Sequence, residues 1–146
     1  MANYECVTRS NYFRVNDPDE FRKFMSRVYG SDKVNLWERK DKEDRLVFGF
    51  GLYGGISGYA SEETDDDEDI EEYSDYDVFL DGLQHHIAED DAVIILESGN
   101  ETLRYIIGSA VIVTRKDIEY IDVTNFAQKR AAELLGNTDW TTKCDY

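Results

Sequence analysis

The sequence predicts an α+β fold: an antiparallel sheet built from hairpins, with about three helices packed on it. Three observations predict it. Apolar residues alternate with a strand period over 33–53 and 92–114, and they recur at helical spacing over 17–28, 75–88 and 124–135. The elements follow the order helix, hairpin, helix, hairpin, helix after an opening strand. With 146 residues, 41% of them hydrophobic, the chain suits a single domain, 1–146, around one core, with an acidic loop or insertion at about 59–75.

Residues 3–15 are rich in β-branched and aromatic types and read as extended, broken near Ser10 and Asn11. Asp17 then offers an N-cap, Pro18 suits the first helical position, and Glu20 completes a capping-box spacing. Phe21, Phe24, Met25 and Val28 give that helix an apolar face, and Gly30 is its expected stop. Residues 33–53 read as a hairpin with a charged turn from Lys40 to Asp44. On its return strand Gly49 and Gly51 leave one face bare for a passing backbone or an aromatic cover. Gly54–Gly58 reads as a flexible connection into the acidic segment.

Asp75 is the expected cap of a second helix to about Ala88, with Tyr76, Phe79, Leu80, Leu83 and Ile87 on one face. Ala92–Glu97 and Leu103–Thr114 read as the central hairpin, with a turn at 98–101 and a possible bulge at Gly108. After a strand at 118–123, a third helix from about Thr124 to Leu135 is expected to bury Phe126, Ala127, Ala131, Leu134 and Leu135, with Gly136 as its stop. The expected core is Phe21, Phe24, Val28, Phe79, Leu83, Ile94, Ile106, Val111, Phe126 and Leu134.

The charge is uneven. Net charge is −16, yet residues 1–45 carry ten Lys/Arg against nine Asp/Glu, and eleven carboxylates fall between Glu62 and Asp77 without one Lys or Arg. Such a surface disfavours nucleic acid and anionic membrane as direct ligands, because a phosphate binder must supply cations. Basic proteins are the natural partners. No stretch approaches the ~18 apolar residues of a membrane span, and MANYECVTRS lacks the apolar core of a signal peptide, so a cytoplasmic location is expected. Cys6 and Cys144, without metal or disulfide spacing, read as free thiols.

No motif signals catalysis, and no cofactor or metal is expected. Gly49, Gly51 and Gly54 match the letters of G-x-G-x-x-G, but that fingerprint needs a helix opening after it, and carboxylates follow here. Asp65, Asp67 and Asp69 resemble the start of an EF-hand loop, but Ile70 and Tyr76 stand where glycine and glutamate are required. His85 and His86 are the only histidines, too few for a zinc site or a histidine-based triad of familiar signature. Among thirty-two acids some carboxylate pair is always available, so pairing carries no signal.

The candidate partner-binding residues are therefore Glu62, Glu63, Asp65, Asp66, Asp67, Glu68, Asp69, Glu71, Glu72, Tyr73, Asp75, Tyr76 and Asp77. Helical, this stretch would carry a charge every ~2 Å, near the ~1.7 Å of duplex DNA; extended, the charges fall nearly ~5 Å apart. The plain alternative is a solvated loop that keeps the protein soluble. In size, charge and lack of catalytic motifs the chain resembles, as a class, the small acidic counter-defence proteins of phages and mobile elements: DNA-mimic antirestriction and anti-CRISPR proteins. The resemblance carries over no individual residue. It implies a non-enzymatic inhibitor occupying the basic nucleic-acid groove of a host defence nuclease or its complex, in the host cytoplasm if phage-encoded. The alternative is an accessory protein-interaction module whose acidic loop is incidental, with an apolar patch among Tyr53, Ile56, Tyr59 or Trp140.

Overall fold

The computed structural model describes residues 4–60, 75–103 and 105–141. In chain order the elements are β1 (Glu5–Ser10), α1 (Pro18–Met25), β2 (Val28–Gly30), β3 (Asn35–Lys40), β4 (Leu46–Tyr53), β5 (Ile56–Tyr59), α2 (Asp75–His86), β6 (Val93–Glu101), β7 (Tyr105–Val113), β8 (Ile118–Asp122) and α3 (Val123–Leu135). Six strands form an antiparallel sheet in the order β3-β4-β1-β6-β7-β8, and β2 pairs with β5 in a small second sheet. The α+β class is as the periodicities predict.

One face of the large sheet holds the core. Phe48 and Phe50 of β4, Val93 and Ile95 of β6, and Val111 and Val113 of β7 meet Phe21 and Phe24 of α1 and Phe79, Leu80 and Leu83 of α2. Phe13, in a bridge to Phe48, sits edge-on to Phe21 and Phe50 at 5.6 and 6.1 Å. Asp17 caps α1 as expected, its carboxylate accepting from the amides of Asp19 and Glu20. The bare strand face is covered in both anticipated ways. A side chain at Gly51 would meet the Thr8 carbonyl and the Trp37 ring, and one at Gly49 the Tyr12 ring.

Four expectations of local structure are corrected. Helix α1 ends at Met25 rather than Gly30, because Val28 and Tyr29 gain cross-strand partners in Tyr59 and Gly58 of β5. That pairing also makes 56–59 a strand instead of a flexible connection. The central turn lies beyond Glu101, with Thr102 at φ 52°, and not at 98–101. Gly99 is a close-approach glycine within the ladder: Tyr4, the Glu5 carbonyl and Cys6 occupy the space of a side chain there. Gly108 is no bulge, since the β6–β7 register runs unbroken past it.

The core list needs correction too. Ile94 and Ile106 are 39% and 52% exposed, because the pleat turns Val93, Ile95, Val111 and Val113 inward and sends the intervening residues to the opposite face. Phe126 and Leu134 are 67% and 71% exposed, and Ala127 and Leu135 are exposed as well. Helix α3 lies beside β7 and β8 rather than on the core, and Ala132 is its only buried residue. Gly136 ends it in the left-handed conformation, φ 67°.

Candidate interaction surfaces

Of the thirteen residues the sequence nominates for partner binding, the structure describes Asp75, Tyr76 and Asp77. Glu62, Glu63, Asp65, Asp66, Asp67, Glu68, Asp69, Glu71, Glu72 and Tyr73 lie outside the described residues, as do all but the last two positions of the EF-hand-like stretch. Asp75 opens α2 and is exposed; its carboxylate accepts a 2.7 Å hydrogen bond from the Tyr29 hydroxyl, which raises the Tyr29 pKa. Tyr76 is half-buried, 5.9 Å from the Phe79 ring, and burial pushes its pKa up to about 12. It is therefore packed on the core more than presented to a partner. Asp77 and Asp81 stand near Tyr120 of β8; burial first, then these two carboxylates, raise the Tyr120 pKa.

Ion pairs gather in the first third of the chain. Arg14 meets Asp90 and Asp91, Arg22 joins Asp19 to Glu38, and Arg45 bridges Asp41 and Glu43. Glu38, held by Arg22, titrates below the ordinary range of a glutamate. Among the described residues Asp81, Asp117 and Glu119 have no Lys or Arg within ion-pair distance.

The remaining chemical candidates resolve into structural roles. His85 Nδ1 bonds the Asp81 carbonyl at 2.9 Å, while His86 packs 5.8 and 4.8 Å from the rings of Phe21 and Phe24, and burial lowers its pKa. Among the described residues no three His, Cys, Asp or Glu side chains gather where they could hold a metal ion. The dinucleotide fingerprint fails on geometry: strand β5, not a helix, follows Gly54. Cys6 is a free thiol in an open trough of about 960 Å³ with Tyr4 and Glu97; burial, then Glu97, raises its pKa, so it stays protonated and poorly nucleophilic. Cys144 lies outside the described residues. No helix of the described chain is long and apolar enough to cross a membrane.

Two surfaces were not anticipated. Tyr53 is exposed, but Ile56 and Tyr59 pack against the core and Trp140 is half-buried, so the four do not form one apolar patch. One apolar surface is the sheet face opposite the core, where alternation places Val7, Ile94, Leu96, Ile106 and Ile121 together and α3 covers part of β7, Val123 lying against Gly108. At the β3 end of the same face Arg9 lies 4.4 Å from the Trp37 ring, and Arg39 3.9 Å from that of Tyr12. The second surface is the exposed side of α3, with Phe126, Leu134 and Leu135. The signal for the first was in the letters: Val93 to Leu96 is apolar at every position, and so can serve both faces of a strand.

No protein-family model matches the chain, and searches of curated proteins and of solved structures returned no match.

Proposed function

We propose that this chain is a non-enzymatic, acidic protein-binding inhibitor that occupies a basic nucleic-acid-binding surface, of the kind a host defence nuclease or its complex presents. The observation that carries this reading is the run of eleven carboxylates from Glu62 to Asp77 with no compensating cation, on a chain whose remainder is only −5. The described end of that run supports it. Asp75 is exposed at the start of α2, and Asp81 one turn beyond Asp77 has no ion-pair partner among the described residues. A surface of this sign attracts a groove lined with Lys and Arg and excludes the nucleic acid that would otherwise fill it.

The test is association with a basic nuclease or its complex across a salt series, with and without nucleic acid. Changing Asp65, Asp66, Asp67, Glu68 and Asp69 together to Asn or Gln should slow association and leave the fold intact, while single changes do little, since an exposed pair is worth only ~0–1 kcal/mol. Equal binding by the five-fold variant, with no competition from nucleic acid, refutes the reading.

A second reading, a protein-interaction module with an incidental acidic segment, is favoured by the exposed apolar side of α3. Phe126, Leu134 and Leu135 present large side chains to solvent where a monomer gains nothing from them. Binding that survives the five-fold change but not Phe126→Asp selects this reading.

A further inference from the structure

Strand β3 is an open edge of the six-stranded sheet. The opposite edge, β8, runs straight into α3, whereas among the described residues no strand pairs with β3 on its outer side. Phe48 exchanges both backbone hydrogen bonds with Phe13, and the Phe50 amide donates to the Ser10 hydroxyl, so these two β4 residues bond toward β1. By antiparallel alternation Val47, Gly49 and Gly51 bond toward β3, where they pair with Arg39, Trp37 and Asn35. The N–H and C=O groups of Leu36, Glu38 and Lys40 therefore point outward, and none of them has a backbone partner among the described residues. Two devices that commonly blunt such an edge are missing. Strand β3 contains no proline, and its register with β4 runs unbroken from Asn35 to Lys40. Arg39, which could otherwise screen the edge, is drawn back over the Tyr12 ring at 3.9 Å.

We infer that β3 accepts an extended acidic peptide segment of a partner protein as a seventh, antiparallel strand. The main chain of the added strand satisfies the outward groups of Leu36, Glu38 and Lys40, and its alternate side chains supply the specificity. Charge complementarity names the chemistry of those side chains. Arg39 and Arg9 share one side of the sheet with Trp37, lie on the Tyr12 and Trp37 rings, and have no carboxylate within ion-pair distance among the described residues. Stacking fixes the Arg39 guanidinium plane and leaves its N–H groups free to donate to a carboxylate. A peptide glutamate opposite Arg39 lies within reach, since directly opposed residues stand ~4.5–5.5 Å apart at Cβ. Its next neighbour on that side, ~6.8 Å along the strand, comes beside Trp37 with Arg9 behind it. On the other side Glu38, held by Arg22, repels an acid, so the fitting pattern is acidic and apolar residues in alternation. A second copy of β3 is a poorer occupant, because the register that engages all three outward residues sets Glu38 against its own copy. Strand β3 also belongs to the nearly neutral first forty-five residues, with ten Lys/Arg against nine Asp/Glu, where an anionic segment is least repelled. This contact is separate from the carboxylate run and does not rest on the function proposed for it.

The experiment titrates the full chain with the peptide acetyl-Thr-Val-Glu-Val-Glu-Val-Thr-amide at physiological ionic strength and follows amide hydrogen exchange residue by residue by NMR. Melting curves check that each variant folds. Exchange at the Leu36, Glu38 and Lys40 amides should slow as peptide is added, while the amides of β8 stay unchanged. Methylating the peptide nitrogens of the valines, which face β3, should abolish that protection, and methylating those of the glutamates should not. Arg39→Glu should raise the dissociation constant about tenfold, and a peptide with lysine in place of glutamate should restore protection of the same three amides in that variant. Unchanged exchange at these amides with peptide in large excess overturns the inference. Binding that survives methylation of the valines, or that Arg39→Glu does not weaken, overturns it equally. Protection of the three amides without peptide, rising with protein concentration, gives the edge to a second copy and also overturns it.

Discussion

Phe79 and Phe126 offer the sharpest test of the architecture, because sequence periodicity treats them alike and the structure separates them completely. Phe79 has no exposed surface, and its ring centre lies 6.1 Å from Phe24, 6.0 Å from Phe50 and 5.9 Å from Tyr76. Phe79→Ala removes the transfer free energy of a buried ring and leaves a cavity that three fixed aromatic neighbours cannot fill, a loss of about 3–5 kcal/mol. Against a domain stability of ~5–15 kcal/mol this is a large share. With a urea slope of ~1–3 kcal/mol per molar, the unfolding midpoint should fall by about 2 M at unchanged slope. Phe126→Ala, at a mostly exposed site on α3, should cost under ~1 kcal/mol. Both are read from urea unfolding followed by far-UV circular dichroism. If Phe79→Ala unfolds with the wild type, or Phe126→Ala falls alongside it, the assignment of helix faces is wrong.

Two further predictions concern the sheet and the α2 terminus. Gly51→Ala places a methyl 2.8 Å from the Thr8 carbonyl and 3.1 Å from the Trp37 ring, so it should destabilise by ~1–3 kcal/mol; a wild-type melting temperature would show that Trp37 does not cover this strand as described. Burial lowers the His86 pKa below the ordinary 6.5, so the unfolded chain takes up the proton more readily. Stability is then full above about pH 6.5 and falls as pH drops through that value toward the lower folded one. His86→Phe should flatten that decline, and an unchanged slope would assign it to other groups.

Much of the fold was legible because several local signals agreed. Asp17, Pro18 and Glu20 mark the start of α1 by three separate effects, and Tyr76, Phe79, Leu80, Leu83 and Ile87 keep helical spacing along a single buried face. The misreadings arise where one letter serves two purposes. Gly99 reads as a turn residue, yet its lack of a side chain admits Tyr4 and Cys6 within a continuous ladder. Val28 fits the α1 spacing and is indeed buried, but from strand β2, because burial does not reveal which element carries the residue. In Val93–Leu96 and in α3 the apolar residues run all round, so periodicity could not say which ones face the core. Asp75, Tyr76 and Asp77 show the same limit at the candidate site: composition nominates all three, but only the packing separates the inward tyrosine from its exposed neighbour Asp75.

The separation of charge from apolar surface gives the two readings of the function different dependences on salt. The cations of the first forty-five residues are largely consumed in local pairs such as Arg22 with Glu38 and Arg45 with Asp41, or laid on rings as Arg9 and Arg39 are. They do little to offset the carboxylates from residue 62 onward, so the long-range field stays strongly negative and favours a basic partner at low ionic strength. The apolar side of α3, with Phe126, Leu134 and Leu135 exposed, makes contacts that do not draw on that field. Screening the field by added salt therefore weakens the first contact and leaves the second largely intact. A salt titration of partner binding distinguishes them: binding lost as salt rises selects the carboxylate run, and binding that persists selects the apolar side of α3.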